Sequence, residues 1–174
     1  MIYLHHSTPV QRMTLSALLM ALGLALPLLT GQLPQIGSML LPMHLPVLLC
    51  GLWCGWPWGL AVGLLTPLVR SLLFAMPPMI PTALTMCLEL AAYGAFSGLI
   101  YSRLPQKPGS IYIALICAML LGRLVWGLAS LLVHALLTQN PFTLSAFWAG
   151  AFVKSWPGMI VQLVLIPPVT KIKK

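Results

Sequence analysis

Apolar residues run in long blocks along this chain instead of alternating with polar ones. The blocks cover about 13–29, 40–56, 58–76, 82–101, 111–137 and 146–166. Each is close to the roughly 20 apolar residues that a helix needs to cross a bilayer. The pattern predicts one all-α integral membrane domain over 1–174, with six transmembrane helices. The breaks are short and rich in turn formers. Thr30–Met39 holds Gly31, Pro34 and Gly37, and Ala75–Pro81 reads AMPPMIP. Ser102–Ser110 holds Pro105 and Pro108, Thr138–Ser145 reads TQNPFTLS, and Pro167-Pro168 predicts the end of the sixth helix.

Small residues recur at helical spacing within the blocks. Ala17, Ala21 and Ala25 form one smooth stripe on the first helix, which fits close approach of a second helix from the same chain or another. Gly51, Gly55, Gly59 and Gly63 run through Trp56-Pro57-Trp58 and predict a tight hairpin, and Gly94 and Gly98 form a further packing pair on the fourth helix.

Composition narrows the class. The chain has 174 residues, of which 60% are hydrophobic and 6% charged, and its mean hydropathy is +0.99. Nothing is left over for a soluble domain, so any ATP hydrolysis would come from partner subunits. Lys and Arg number 9 against the single acid Glu89, a net charge of +8. Several of these cations lie inside apolar segments, which is unlike a nucleic-acid-binding surface. Arg12, Arg103, Lys107, Lys171, Lys173 and Lys174 fall on one side of a six-span topology, and the opposite loops carry no Lys or Arg. The positive-inside rule then puts both termini in the cytoplasm. The start MIYLHHSTPVQR is too polar for a signal peptide. The four Cys sit in or beside apolar runs and read as packing, and Cys50 and Cys54 lack a second ligand pair for a metal.

Four ionisable residues inside the blocks carry the candidate chemistry: Arg70, Glu89, Arg123 and Lys154, one on each of four helices. A charge at membrane depth costs about 2.5–3.5 kcal/mol on insertion scales, so each needs a partner, a ligand or water. Glu89 neutralises one cation, leaving a surplus of positive charge for an anionic ligand entering from outside. Arginine suits a carboxylate because its planar fork makes two hydrogen bonds at once. Alternatives stand beside each residue: Arg70 and Lys154 could snorkel to headgroups, and Glu89 could be a structural ion-pair partner. Further candidates are His44, set between Pro42 and Pro46, and Trp126 and Trp148, which could stack on a flat ligand or belong to an interfacial belt. His134 and Asn140 flank the last outer loop. One acid cannot furnish a catalytic carboxylate pair, and no Walker or HExxH motif occurs, so the chain reads as a non-enzyme without cofactors.

These features together resemble a known family. The stretches that carry the resemblance are Ala17-Leu-Leu-Met-Ala21-Leu-Gly-Leu-Ala25, Met43-His44-Leu45-Pro46-Val47, and Pro67-Leu-Val-Arg70-Ser71 followed by Met76-Pro77-Pro78. Lys154-Ser-Trp-Pro157-Gly158 with Gln162 and Pro167 completes them. The chain resembles the substrate-binding S component of energy-coupling factor (ECF) vitamin transporters over nearly its whole length. The resemblance implies a micronutrient pocket at the outer side, built from the last three helices and the outer loops. It also implies docking through the Ala17/Ala21/Ala25 face onto a membrane coupling (T) component driven by two ATPase subunits, in a bacterial plasma membrane. A competing reading is a proton-coupled homodimeric transporter with Glu89 as proton carrier; another is a non-transporting subunit that binds lipid headgroups.

Overall fold

A computed structural model describes residues 8–29, 41–105, 107–137, 143–153 and 155–171 of the chain. Among the described residues the chain is helical, without strands. The helices are α1 Pro9–Leu29, α2 His44–Cys54, α3 Trp56–Phe74, α4 Leu84–Arg103, α5 Pro108–Leu137, α6 Leu144–Trp148 and α7 Trp156–Lys171. Four stretches are long and apolar enough to cross a membrane: Pro9–Leu28, Trp56–Phe74, Met79–Arg103 and Gly109–Leu137. Apolar α2 and α7 are shorter.

Helix α4 forms the centre. It packs against α2, α3 and α5, while α1 lies on α2 and α3, and α7 touches α5 and α2. Small residues let α4 come that close. A methyl group on Gly94 would collide with the backbone of Gly59, and one on Gly63 with the backbone of Leu90. Gly51 faces the Gly94 carbonyl and Ser97, and Gly98 faces Gly51 and Trp56. The glycine row thus packs the α2–α3 hairpin onto α4. Gly55 serves differently: it makes the turn itself, at φ 100, a value that other residues rarely adopt.

The outward faces are apolar, as lipid requires. On α5, Leu120, Leu124, Leu128 and Leu131 are exposed, whereas Met119, Gly122, Arg123, Ala129 and Ser130 are buried. That 3.6-residue rhythm turns Arg123 inward.

Two expectations about element ends need correction. The sixth apolar block is not one helix: α6 gives way to a wide turn at Ala149–Val153 before α7 begins at Trp156. Pro167-Pro168 does not stop α7 either, which runs on to Lys171. Each proline removes one main-chain bond, to the carbonyls of Leu163 and Val164, and the helix nevertheless continues one turn past them. Between α3 and α4 the chain passes Ala75 at φ 54 and an extended Ile80.

Candidate functional site

Helix directions bring one set of polar residues together. The start of α2, the end of α3 and the start of α4 lie at the end of the bundle remote from Arg12, Arg103 and Lys107. His44 opens α2. Glu89 lies in the second turn of α4, and Arg123 lies halfway along α5. Arg123 Nη1 stands 2.7 Å from Glu89 Oε1, and His44 Nε2 stands 3.4 Å from the same oxygen. The exposures of Arg123, Glu89 and His44 are 3%, 2% and 1%, so these groups are shielded from both lipid and water. Tyr93, one helical turn beyond Glu89, sets its ring edge-on to His44 with centroids 4.9 Å apart. Its hydroxyl also interacts electrostatically with Arg123. The ring has room there because residue 122 is glycine; a methyl group at Gly122 would reach 2.5 Å from Tyr93 Cδ2.

This cluster is incompletely satisfied. Arg123 Nε and Nη2, Glu89 Oε1, both ring nitrogens of His44, Tyr93 Oη and Gln162 Oε1 are buried side-chain atoms that complete no hydrogen bond. Gln162 reaches from α7 to the Leu41 carbonyl with its amide nitrogen at 3.4 Å, leaving that oxygen over. Buried polar groups are normally paired, and each one left unpaired costs about 1–3 kcal/mol. Unused hydrogen-bonding capacity is therefore concentrated around one ion pair.

The other sequence candidates are placed as follows. Arg70 does not join Glu89. Its Nη1 donates to the Leu24 carbonyl of α1 at 2.5 Å, and its guanidinium lies 5.1 Å from the Phe74 ring centroid. Among the described residues the ion-pair partners of Glu89 are His44 and Arg123. Lys154 and Asn140 lie outside the described residues. Trp126, one turn from Arg123 on α5, stacks on Phe147 at 6.2 Å and 23°. Gly127 and Gly150 make space for this pair, the first against Phe147 and the second against Trp126. Trp148 is 55% exposed, and His134 Nδ1 lies 2.7 Å from the Ser130 carbonyl.

The family model described as ECF transporter, substrate-specific component, matches residues 11–170. The chain belongs to this family. No curated protein and no solved structure matches it. Members of the family are transport subunits, not enzymes, so this S component is a multi-pass protein of the bacterial plasma membrane. Membership also implies assembly with a T component and ATPases.

Within this S component, α1 presents its alanines outward. Ser16, Leu19, Gly23 and Pro27 are buried, whereas Ala17, Ala21 and Ala25 are exposed. The stripe therefore does not serve packing against the described helices of its own chain. Three residues of the polar region were not among the sequence candidates for the site: Tyr93, Phe147 and Gln162. Tyr93 could have been found, since it follows Glu89 by four residues and shares its helix face. Gln162 is a lone polar residue in an apolar block. Phe147 carries no such signal.

Proposed function

We propose that this S component captures a small vitamin or related micronutrient, anionic where it meets Arg123, from the outer side of the membrane. The observation that carries the reading is the buried Glu89–Arg123 pair with unsatisfied donors beside it. Arg123 sits too deep on α5 to reach headgroups with ease, so its open donors favour a ligand over lipid. His44 and Trp126 border the same region. Lys154, Asn140 and Trp148 belong to the same proposal through their positions in the sequence ahead of α7, whereas Arg70, bonded to the Leu24 carbonyl of α1, stands outside it.

Delivery then follows by docking of the Ala17/Ala21/Ala25 face on the T component, with two ATPase subunits supplying energy. An exposed small-residue stripe on an apolar helix lets a partner helix approach closely. Both termini are cytoplasmic in this reading. The competing proton-carrier role needs a Glu89 carboxylate free to exchange protons, and Arg123 already occupies it.

Two measurements separate capture from delivery. Purified protein in detergent is expected to hold one small-molecule ligand per chain. Ala21→Trp should keep that binding and abolish uptake in cells that carry the coupling module. Uptake that survives Ala21→Trp would remove the docking face from the proposal.

A further inference from the structure

The arginine in this cluster is only half used, and the half left over has a definite shape. A guanidinium is planar, and its five N–H donors are fixed in direction. Nε–H and the outer N–H of Nη2 lie along one edge and point the same way. Glu89 takes Nη1, the nitrogen on the other side. Neither Nε nor Nη2 completes a hydrogen bond, and the residue is 3% exposed. These donors therefore form one side-on fork instead of two unrelated gaps, with the Tyr93 hydroxyl as a near neighbour of the guanidinium. The carboxylate of Glu89 holds the plane of that fork, and His44 and Tyr93 flank it.

We propose that the Nε–Nη2 edge of Arg123 reads a carboxylate on the substrate through two parallel hydrogen bonds, and that Glu89 is a positioning residue which fixes this edge. The inference rests on the substrate-capture reading above and specifies the group that is captured. A planar carboxylate presents two oxygens at the spacing of the fork. An ammonium group meets the same charge but not the same geometry, so lysine is no substitute at a bidentate site. An amide or ester twin of the substrate keeps one acceptor at most in the right place and brings no charge. The site would then be left with unpaired buried donors, the circumstance in which analogues are rejected most strongly.

The test uses the purified full chain in detergent with matched acid and neutral probes: nicotinate and nicotinamide, biotin and biotinamide, pantothenate and panthenol. Native mass spectrometry reads retention and tryptophan fluorescence reads affinity. At least one acid should be held, and its neutral twin should bind about 100-fold more weakly. Arg123→Lys, which keeps the charge but not the fork, should shrink the acid-to-neutral ratio by about tenfold, and Arg123→Met should bring it close to one. Glu89→Gln, which can still accept from Nη1, should weaken the acid by about tenfold and keep discrimination, a loss of about 1.4 kcal/mol. A general loss of stability would lower both affinities and leave the ratio alone, so the ratio isolates the fork. A neutral twin bound as tightly as its acid, discrimination undiminished by Arg123→Lys, or discrimination that survives Arg123→Met overturns the proposal. So does retention of phospholipid alone or of none of the acids. Uptake by cells carrying the coupling module distinguishes the two levels. If a neutral compound is bound and transported, the carboxylate assignment fails alone; if nothing is bound or transported, the capture reading fails with it.

Discussion

Two buried arginines in this protein meet the same physical demand in different ways. Arg70, near the end of α3, spends its charge on a main-chain carbonyl of α1 and on an aromatic face of its own helix. Arg123, in the middle of α5, faces a carboxylate and keeps a pair of donors unfilled. The first arrangement ties two helices together and asks nothing of a ligand. The second is held in place by one partner and, in the proposal above, is completed by a ligand. Charge at membrane depth therefore has two uses here, and the inventory of partners separates them where the residue type cannot.

The largest effect should come from cutting the support of Arg123. Glu89→Ala leaves a guanidinium buried without a counter-charge, which costs about 3–5 kcal/mol. The double variant Glu89→Met with Arg123→Met removes both charges and should be more stable than Glu89→Ala alone, because no uncompensated ion remains. Unfolding midpoints in detergent check the order. If Glu89→Ala unfolds no earlier than the double variant, the two charges are not paired in the folded protein.

The sequence showed part of this contrast. Glu89, Arg123 and His44 were legible because a charge or an imidazole in an apolar block requires a partner. The helical class followed from the blocks themselves, and the glycine rows predicted close backbones. The fate of Arg70 was not legible, since its acceptor is a backbone carbonyl that every residue possesses. The same limit hid the break between α6 and α7. Apolarity over 146–166 says that the segment avoids water, but not whether its backbone bends. Gly55 shares the spacing of Gly51, Gly59 and Gly63, yet only its positive φ marks it as the turn. Periodicity places residues on a helix face, and tertiary packing decides which face meets which.

A smaller effect should come from Arg70. Arg70→Met keeps the apolar stem and removes the bond to Leu24. A hydrogen bond to a charged group contributes about 1.5–3 kcal/mol, so the midpoint should drop by less than for Glu89→Ala. Acid binding should persist in this variant if Arg70 acts as a tie between α1 and α3. A loss of binding as complete as in Arg123→Met would join the two arginines in one site and dissolve the distinction drawn between them.

Phe74 sharpens the comparison at its fine end. Its ring centroid is 5.1 Å from the Arg70 guanidinium carbon, within reach of a cation–π attraction. Such contacts are worth about 0.5–1 kcal/mol where the ring is exposed, and Phe74 is exposed. Phe74→Leu keeps apolar bulk and removes the quadrupole, so its midpoint should fall by less than that of Arg70→Met. Combined with Arg70→Met it should cost almost nothing further, because the cation it served is gone. Strictly additive losses would mean that Phe74 contributes through packing alone, and that the Leu24 carbonyl is the whole of the Arg70 anchor.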